Sequence, residues 1–199
     1  MLRKIVYPMI EGPLNSAAAF LHSNGFTPNQ LTVAGTALNF IAGYFYAGGH
    51  FTAGALMLLV AGMGDLLDGA LARHSGKVTP FGAFLDSFCD RYSDFFLFGG
   101  LALSFAREGR DGLLLLTLFS LAGAYAVSYA KARAENFIKH CGVGFFERAV
   151  RLIVLFWGTF LPFLIVPALW ILAIGANATA VHRLIHTRKT LLAHAKETS

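Results

Sequence analysis

Charge is what this sequence has least of. Asp, Glu, Lys and Arg make up 14% of its 199 residues, against about 25% in ordinary soluble domains. That shortage excludes a chain whose every face meets water. Cysteine is scarce too: Cys89 and Cys141 are too few for a disulfide framework, and their separation builds no zinc site. No strong excess of one sign is present. The formal net charge of +5 is scattered along the chain and makes no basic face of the kind nucleic acid requires. Residues 1–20 lack the continuous apolar run of a cleavable leader, because Arg3, Lys4, Glu11, Pro13 and Asn15 interrupt it. Internal repeats and low-complexity tracts are absent as well.

What the chain has is apolar length. Hydrophobic residues reach 56%, and they recur in runs near Leu31–Tyr46, Phe51–Met63, Phe95–Phe105, Leu113–Val127, Leu152–Pro167 and Ala168–Val181. With its polar extensions, each run covers the roughly 20 residues a membrane-crossing helix needs. The expected fold is therefore an all-α integral membrane domain of six transmembrane helices, preceded by an N-terminal interfacial amphipathic helix. In that helix Ile5, Val6, Met9, Ile10 and Leu14 are placed to enter lipid. The divisions are an interfacial helix over 1–26, a six-helix core over 27–187 and a cytoplasmic tail over 188–199. Thr27 is expected to cap the first span with Pro28 at its first position. Pro80 opens the third span, while Pro162 and Pro167 break or separate the last two.

Basic residues are sorted by loop. Six spans put both termini on one side, together with Arg3, Lys4, Arg73, Lys77, Lys131, Arg133, Arg148, Arg151 and the tail. The opposite loops hold Arg107 and Arg110, balanced by Glu108 and Asp111. By the positive-inside rule, both termini face the cytoplasm and the chain is a multi-pass protein of the cell (inner) membrane.

Against this apolar background stand four carboxylates. Asp65 and Asp68 are three apart and share a helix face; Asp86 and Asp90 are four apart and share another. An ionised carboxylate inside a membrane costs about 2.5–3.5 kcal/mol on insertion scales, and the nearby cations Arg73, His74, Lys77, Arg91 and Arg107 sit mostly at helix ends. Bound divalent cations resolve the conflict. Oxygen-only donors select Mg²⁺, Mn²⁺ or Ca²⁺ over zinc, and two ions held this way clamp a diphosphate during displacement at phosphorus. Gly64, Gly69, Ala70, Ala72, Gly82 and Ala83 allow a backbone or ligand to approach closely. An alternative from another class is a cation or proton transporter using the same carboxylates.

The run Asp65-Leu-Leu-Asp68-Gly69-Ala-Leu-Ala72-Arg73, followed after eight residues by Gly82-Ala-Phe-Leu-Asp86-Ser-Phe-Cys-Asp90, resembles the signature of the CDP-alcohol phosphotransferase family at every fixed position. The resemblance implies that Asp65, Asp68, Asp86 and Asp90 bind two ions of Mg²⁺ or Mn²⁺. Asp90 would also be the general base, taking the acceptor's proton as its oxygen attacks the β-phosphorus of a CDP-lipid such as CDP-diacylglycerol, and CMP would leave. Gly69, Arg73 and Thr79 would contact the CDP group, and Pro28, Asn29, Gln30 and Leu31 resemble the segment that closes over the nucleotide. Members of the family usually pair as homodimers. A proton relay has no use for Gly69, Ala72, Arg73 and Gly82, which weighs against the transporter.

For the acceptor, Ser128-Tyr129-Ala130-Lys131-Ala132-Arg133-Ala134-Glu135 is similar to the phosphatidylinositol-phosphate and archaetidylinositol-phosphate synthase branch. That likeness implies a phosphorylated polyol, inositol 1-phosphate, held by Lys131, Arg133 and Arg151, with Arg148 in the same basic cluster. Ala149 and Val150 stand where that branch commonly has a proline and a second glutamate. Glycerol 3-phosphate, the acceptor of a phosphatidylglycerophosphate synthase, therefore stays open as an alternative. His182, His186, Trp157 and Trp170 are read as interfacial residues without chemistry.

Overall fold

The chain is described through a computed structural model, covering residues 2–197 for the backbone and 12–194 for side chains. Seven α-helices follow one another: α1 (Leu2–Ser23), α2 (Pro28–Ala47), α3 (Phe51–His74), α4 (Pro80–Arg107), α5 (Asp111–Ala134), α6 (Arg148–Phe160) and α7 (Ile165–Glu197), with a 3₁₀ turn over Pro162–Leu164 before the last. Among the described residues there is no strand. Ile5, Val6, Met9 and Ile10 fall outside the described side chains. Leu14 is buried with Ala18 against Ala70 and Leu71, so this part of α1 docks on α3.

Local chemistry explains where the helices begin. Thr27 Oγ1 accepts from the Gln30 amide at 3.4 Å and the Gln30 side chain accepts from the Thr27 amide at 2.9 Å, a capping box with Pro28 at the first helical position. α4 starts alike: Thr79 Oγ1 accepts from the Gly82 amide at 3.0 Å, and Pro80 follows the cap. Between them, α3 ends in a turn at Gly76, whose φ of 65° favours glycine.

α2 packs along both α3 and α4, which touch each other far less. The α2–α4 crossing is tight because both helices present glycine. A Cβ on Gly43 would fall on the Phe96 carbonyl, and one on Gly100 would fall on the Gly43 carbonyl. On the other side α5 packs on α7 and α4, and α6 lies against α3 and α7. The apolar core joins Tyr46, Leu97, Leu101, Phe105, Leu155 and Leu169. Many large apolar side chains remain outside it, including Phe40, Phe119, Phe163, Trp170 and Ile174, as suits a surface solvated by lipid.

Among the described residues, three helical segments are both long and apolar enough to cross a bilayer: Phe51–His74, Asp111–Ala134 and Pro162–His194. Of the remaining helices, α4 carries Asp86, Asp90, Arg91 and Asp94, α2 carries Gln30 and Asn39, and α6 is short. α6 has 13 residues, about 20 Å at 1.5 Å each. Its first residue, Arg148, meets Asp65, some two and a half turns inside α3, so α6 begins at depth. The expected span over Leu152–Pro167 is corrected at its far end. The break falls at Leu161–Pro162, whereas Pro167 lies inside the first turn of α7, where its missing amide has no helical partner to lose. The tail is helical too, and α7 passes without interruption through residue 187.

Candidate active site

α3 and α4 bring the four motif carboxylates together from opposite sides of the wedge that α2 holds open. Asp68 lies in the field of Asp86 and Asp65, and Asp90 in that of Asp86 and Asp65. Asp68 is buried, and Thr32 of α2 donates to its Oδ2 at 2.8 Å. Gly35 is what lets α2 come so near: a Cβ there would sit 3.0 Å from Asp65 Oδ1.

Beside the carboxylates lies a cavity of about 340 Å³. Its walls include Pro28, Asn29 and Thr32 from α2, Asp68, Gly69 and Arg73 from α3, and Thr79, Gly82 and Asp86 from the turn and α4. Gly69 leaves room for the Arg73 guanidinium, whose Nη1 would stand 3.3 Å from a Cβ. Of the residues the sequence points to for the CDP group, Pro28, Asn29, Gly69, Arg73 and Thr79 line this cavity. Gln30 and Leu31 do not. Gln30 is occupied in the α2 cap, and Leu31 packs against the α1–α3 cluster. Thr32 is a wall residue that the motif did not single out, since nothing in sequence links it to Asp68, 36 residues away.

Asp65 and Asp90 stand outside the cavity wall because a cation from α6 holds them. Arg148 Nη1 lies 2.6 Å from Asp65 Oδ2 and 2.5 Å from Asp90 Oδ1. Its Nε is 3.8 Å from Asp94 Oδ1. Asp94 is 1% exposed and takes Arg151 Nη2 at 3.0 Å, with Arg91 Nη2 at 3.9 Å. Arg151 is 2% exposed and donates through Nη1 to the Phe146 carbonyl at 3.2 Å. Two of the four residues expected at the acceptor, Arg148 and Arg151, therefore converge on the aspartates. Arg133 turns away, its guanidinium 4.8 Å above the Phe137 ring, and Lys131 is half-buried near the end of α5. Sequence reasoning passed over Asp94 and looked for charge balance near α3 and α4, whereas the balancing cation comes from α6.

The donor set has the chemistry of a hard divalent cation, since all four motif groups are carboxylates and no thiol or imidazole stands among them. With Arg148 between Asp65 and Asp90, no three acidic, histidine or cysteine groups among the described residues are gathered into a ligand cage. The residues fit such ions; engaging all four carboxylates requires the guanidinium to turn aside.

Known proteins resemble this chain in both sequence and fold. The family model for CDP-alcohol phosphatidyltransferase matches residues 26–183. A phosphatidylinositol phosphate synthase of Streptomyces avermitilis is 36% identical, the match covering 95% of this chain and 83% of that one. An archaetidylinositol phosphate synthase of Pyrococcus horikoshii is 38% identical, with 96% and 98% covered. The crystal structure of Mycobacterium tuberculosis phosphatidylinositol phosphate synthase with CDP-DAG bound superposes with a TM-score of 0.82 at 35% identity, covering 87% of this chain and 92% of that chain. The same enzyme in complex with manganese and citrate gives 0.82 at 36% identity, with 87% and 88% covered. The match extends from the cap of α2 into α7 and takes in both carboxylate pairs, so this chain belongs to the CDP-alcohol phosphatidyltransferase family and is a membrane enzyme of phospholipid biosynthesis.

Proposed function

We propose that the enzyme transfers a phosphatidyl group from CDP-diacylglycerol to a hydroxyl of inositol 1-phosphate, releasing CMP. The observation that carries this reading is the placement of Arg148 on Asp90 and of Arg151 on Asp94, one turn further along α4. Two guanidinium groups next to the attacking position suit an acceptor that already bears a phosphate, and a neutral alcohol has no need of them. Relatives named for inositol phosphate products support the choice over glycerol 3-phosphate.

In this reading Asp65, Asp68, Asp86 and Asp90 hold two divalent ions, Mg²⁺ or Mn²⁺. Bound there, the ions would neutralise the diphosphate and the leaving phosphate of CMP. Pro28, Asn29, Gly69, Arg73 and Thr79 hold the CDP group in the cavity, with Gln30 and Leu31 fixing the segment above it. Asp90 accepts the proton of the acceptor hydroxyl as that oxygen bonds to the β-phosphorus and the bond to CMP breaks. Proximity matters more here than base strength, because a fixed carboxylate next to the nucleophile removes the entropy of encounter. Arg148 stands where it can turn from the carboxylates to the acceptor's phosphate, and Lys131 and Arg133 form the outer basic rim. Helices α2 to α7 make six crossings with α1 at the surface. Both termini and the site face the cytoplasm, as the loop charges favour, and two copies pair in the membrane.

The test is CMP release from CDP-diacylglycerol with inositol 1-phosphate, glycerol 3-phosphate, inositol and serine compared side by side. Turnover with inositol 1-phosphate well above the others is expected; a preference for glycerol 3-phosphate or an unphosphorylated acceptor overturns the assignment. Ion flux independent of nucleotide would restore the transporter.

A further inference from the structure

We propose that Asp94 is a positioning residue that builds the acceptor-phosphate pocket by holding Arg148 and Arg151 side by side; the proposal rests on the phosphorylated acceptor argued above. Asp94 lies one turn beyond Asp90 on α4, outside the carboxylate motif, and it touches neither the cavity nor the CDP-binding wall. Its surroundings are cationic. Arg151 Nη2 is 3.0 Å away, Arg148 Nε 3.8 Å and Arg91 Nη2 3.9 Å, so three guanidinium groups from two helices meet on one carboxylate that is 1% exposed.

The balance of charge and of hydrogen bonds indicates what this arrangement accepts. Once Asp65 and Asp90 serve cations, Asp94 is the anion left to three arginines. The surplus of two positive charges matches a phosphate dianion. The arginines also have donors to spare: Nε of Arg91, Arg148 and Arg151 is buried without a hydrogen-bond partner, against one such acceptor on the carboxylate, Asp94 Oδ1, and Arg151 itself is 2% exposed. Buried donors of this kind call for a polar occupant. Both ends of the Arg151 guanidinium are fixed, one by Asp94 and the other by the Phe146 carbonyl. Tyr125 of α5 donates to the Arg91 carbonyl at 2.8 Å, which ties this stretch of α4 in place. Asp94 thus orients the donors without itself meeting the reacting atoms.

The test compares Asp94→Asn and Asp94→Glu with the wild type. Steady-state CMP release is measured against CDP-diacylglycerol and, separately, against the phosphorylated acceptor the wild type uses best, with inorganic phosphate as a competing anion. Asp94→Asn is expected to raise the acceptor KM at least tenfold and to weaken inhibition by inorganic phosphate by a similar factor. The KM for CDP-diacylglycerol should stay within about twofold, and Asp94→Glu should recover most of the loss. Equal changes in both KM values, or an unchanged acceptor KM, overturn the proposal. So does a loss of folding in both variants, which would make Asp94 a core ion pair only. Failure of the wild type to use any phosphorylated acceptor sinks the functional reading instead, so the two failures are told apart.

Discussion

Asp90 bonds to Arg148 at 2.5 Å and sits 18% exposed in its side chain, close enough to the polar wedge to exchange a proton with an incoming hydroxyl. Asp90→Asn keeps the shape and removes the proposed base. It should abolish measurable turnover while leaving CDP-lipid affinity within about tenfold, because proton transfer contributes to the transition state more than to ground-state binding; kcat beside equilibrium nucleotide binding checks it. Thr32→Val deletes the hydrogen bond to Asp68 Oδ2. Neighbours that orient a metal-ligating group typically contribute about 10–100-fold in metal affinity, so Mn²⁺ binding measured directly should weaken by about tenfold. Arg151 behaves differently from a surface cation. Arg151→Ala removes the shortest contact of buried Asp94 and leaves it only Arg148 Nε at 3.8 Å and Arg91 Nη2 at 3.9 Å, so the thermal unfolding temperature should fall even where the acceptor KM also rises. These contacts mark the limit of sequence reading at this scale. The i,i+3 and i,i+4 spacings made the motif carboxylates legible. Asp94 continues the same face of α4, yet it stands at the edge of an apolar run and beyond the motif. Its partner Arg151 is 57 residues away and the Arg148 partner of Asp65 is 83 away, separations that only tertiary packing closes.

Helix starts were readable because they depend on neighbours in the chain. Thr27 and Thr79 each precede a proline, and both become caps as local chemistry requires. Helix ends near Pro162 and Pro167 were harder, since a proline is a breaker in mid-helix and harmless in a first turn; which role each plays depends on where Leu161 departs from helical geometry. The glycines of α2 and α4 carry a similar lesson. Gly99 has open space around its missing Cβ, whereas its neighbour Gly100 abuts the backbone of α2. Gly43→Ala or Gly100→Ala should therefore force these helices apart and lower stability by about 1–3 kcal/mol. Gly99→Ala should be neutral or slightly stabilising by helix propensity. Thermal denaturation of the three variants in one detergent separates a packing requirement from a general intolerance of substitution.

At the scale of the whole molecule, composition decided the solvent and the motif decided the family, but the helix count by hydropathy did not follow. Charged side chains lower the hydropathy of α4, Gln30 and Asn39 lower that of α2, and α6 is short, so among the described residues three segments stand out where the apolar runs suggested six. Chelation of divalent ions should stop CMP release and added Mg²⁺ or Mn²⁺ should restore it. Because the carboxylates from α3 and α4 would then lose their common counter-ion, the metal-free protein should also unfold several degrees lower than the loaded one; an unchanged unfolding temperature would mean that the ions hold substrate alone.

The shared Thr-Pro openings of α2 and α4 reach further than stability. Both first turns border the same cavity, so the positive ends of two helix dipoles border one small space. A pyrophosphate entering it is attracted by the main chain itself. That part of the grip is written in the backbone, survives replacement of any one side chain, and should leave measurable nucleotide affinity in variants whose carboxylates have been neutralised.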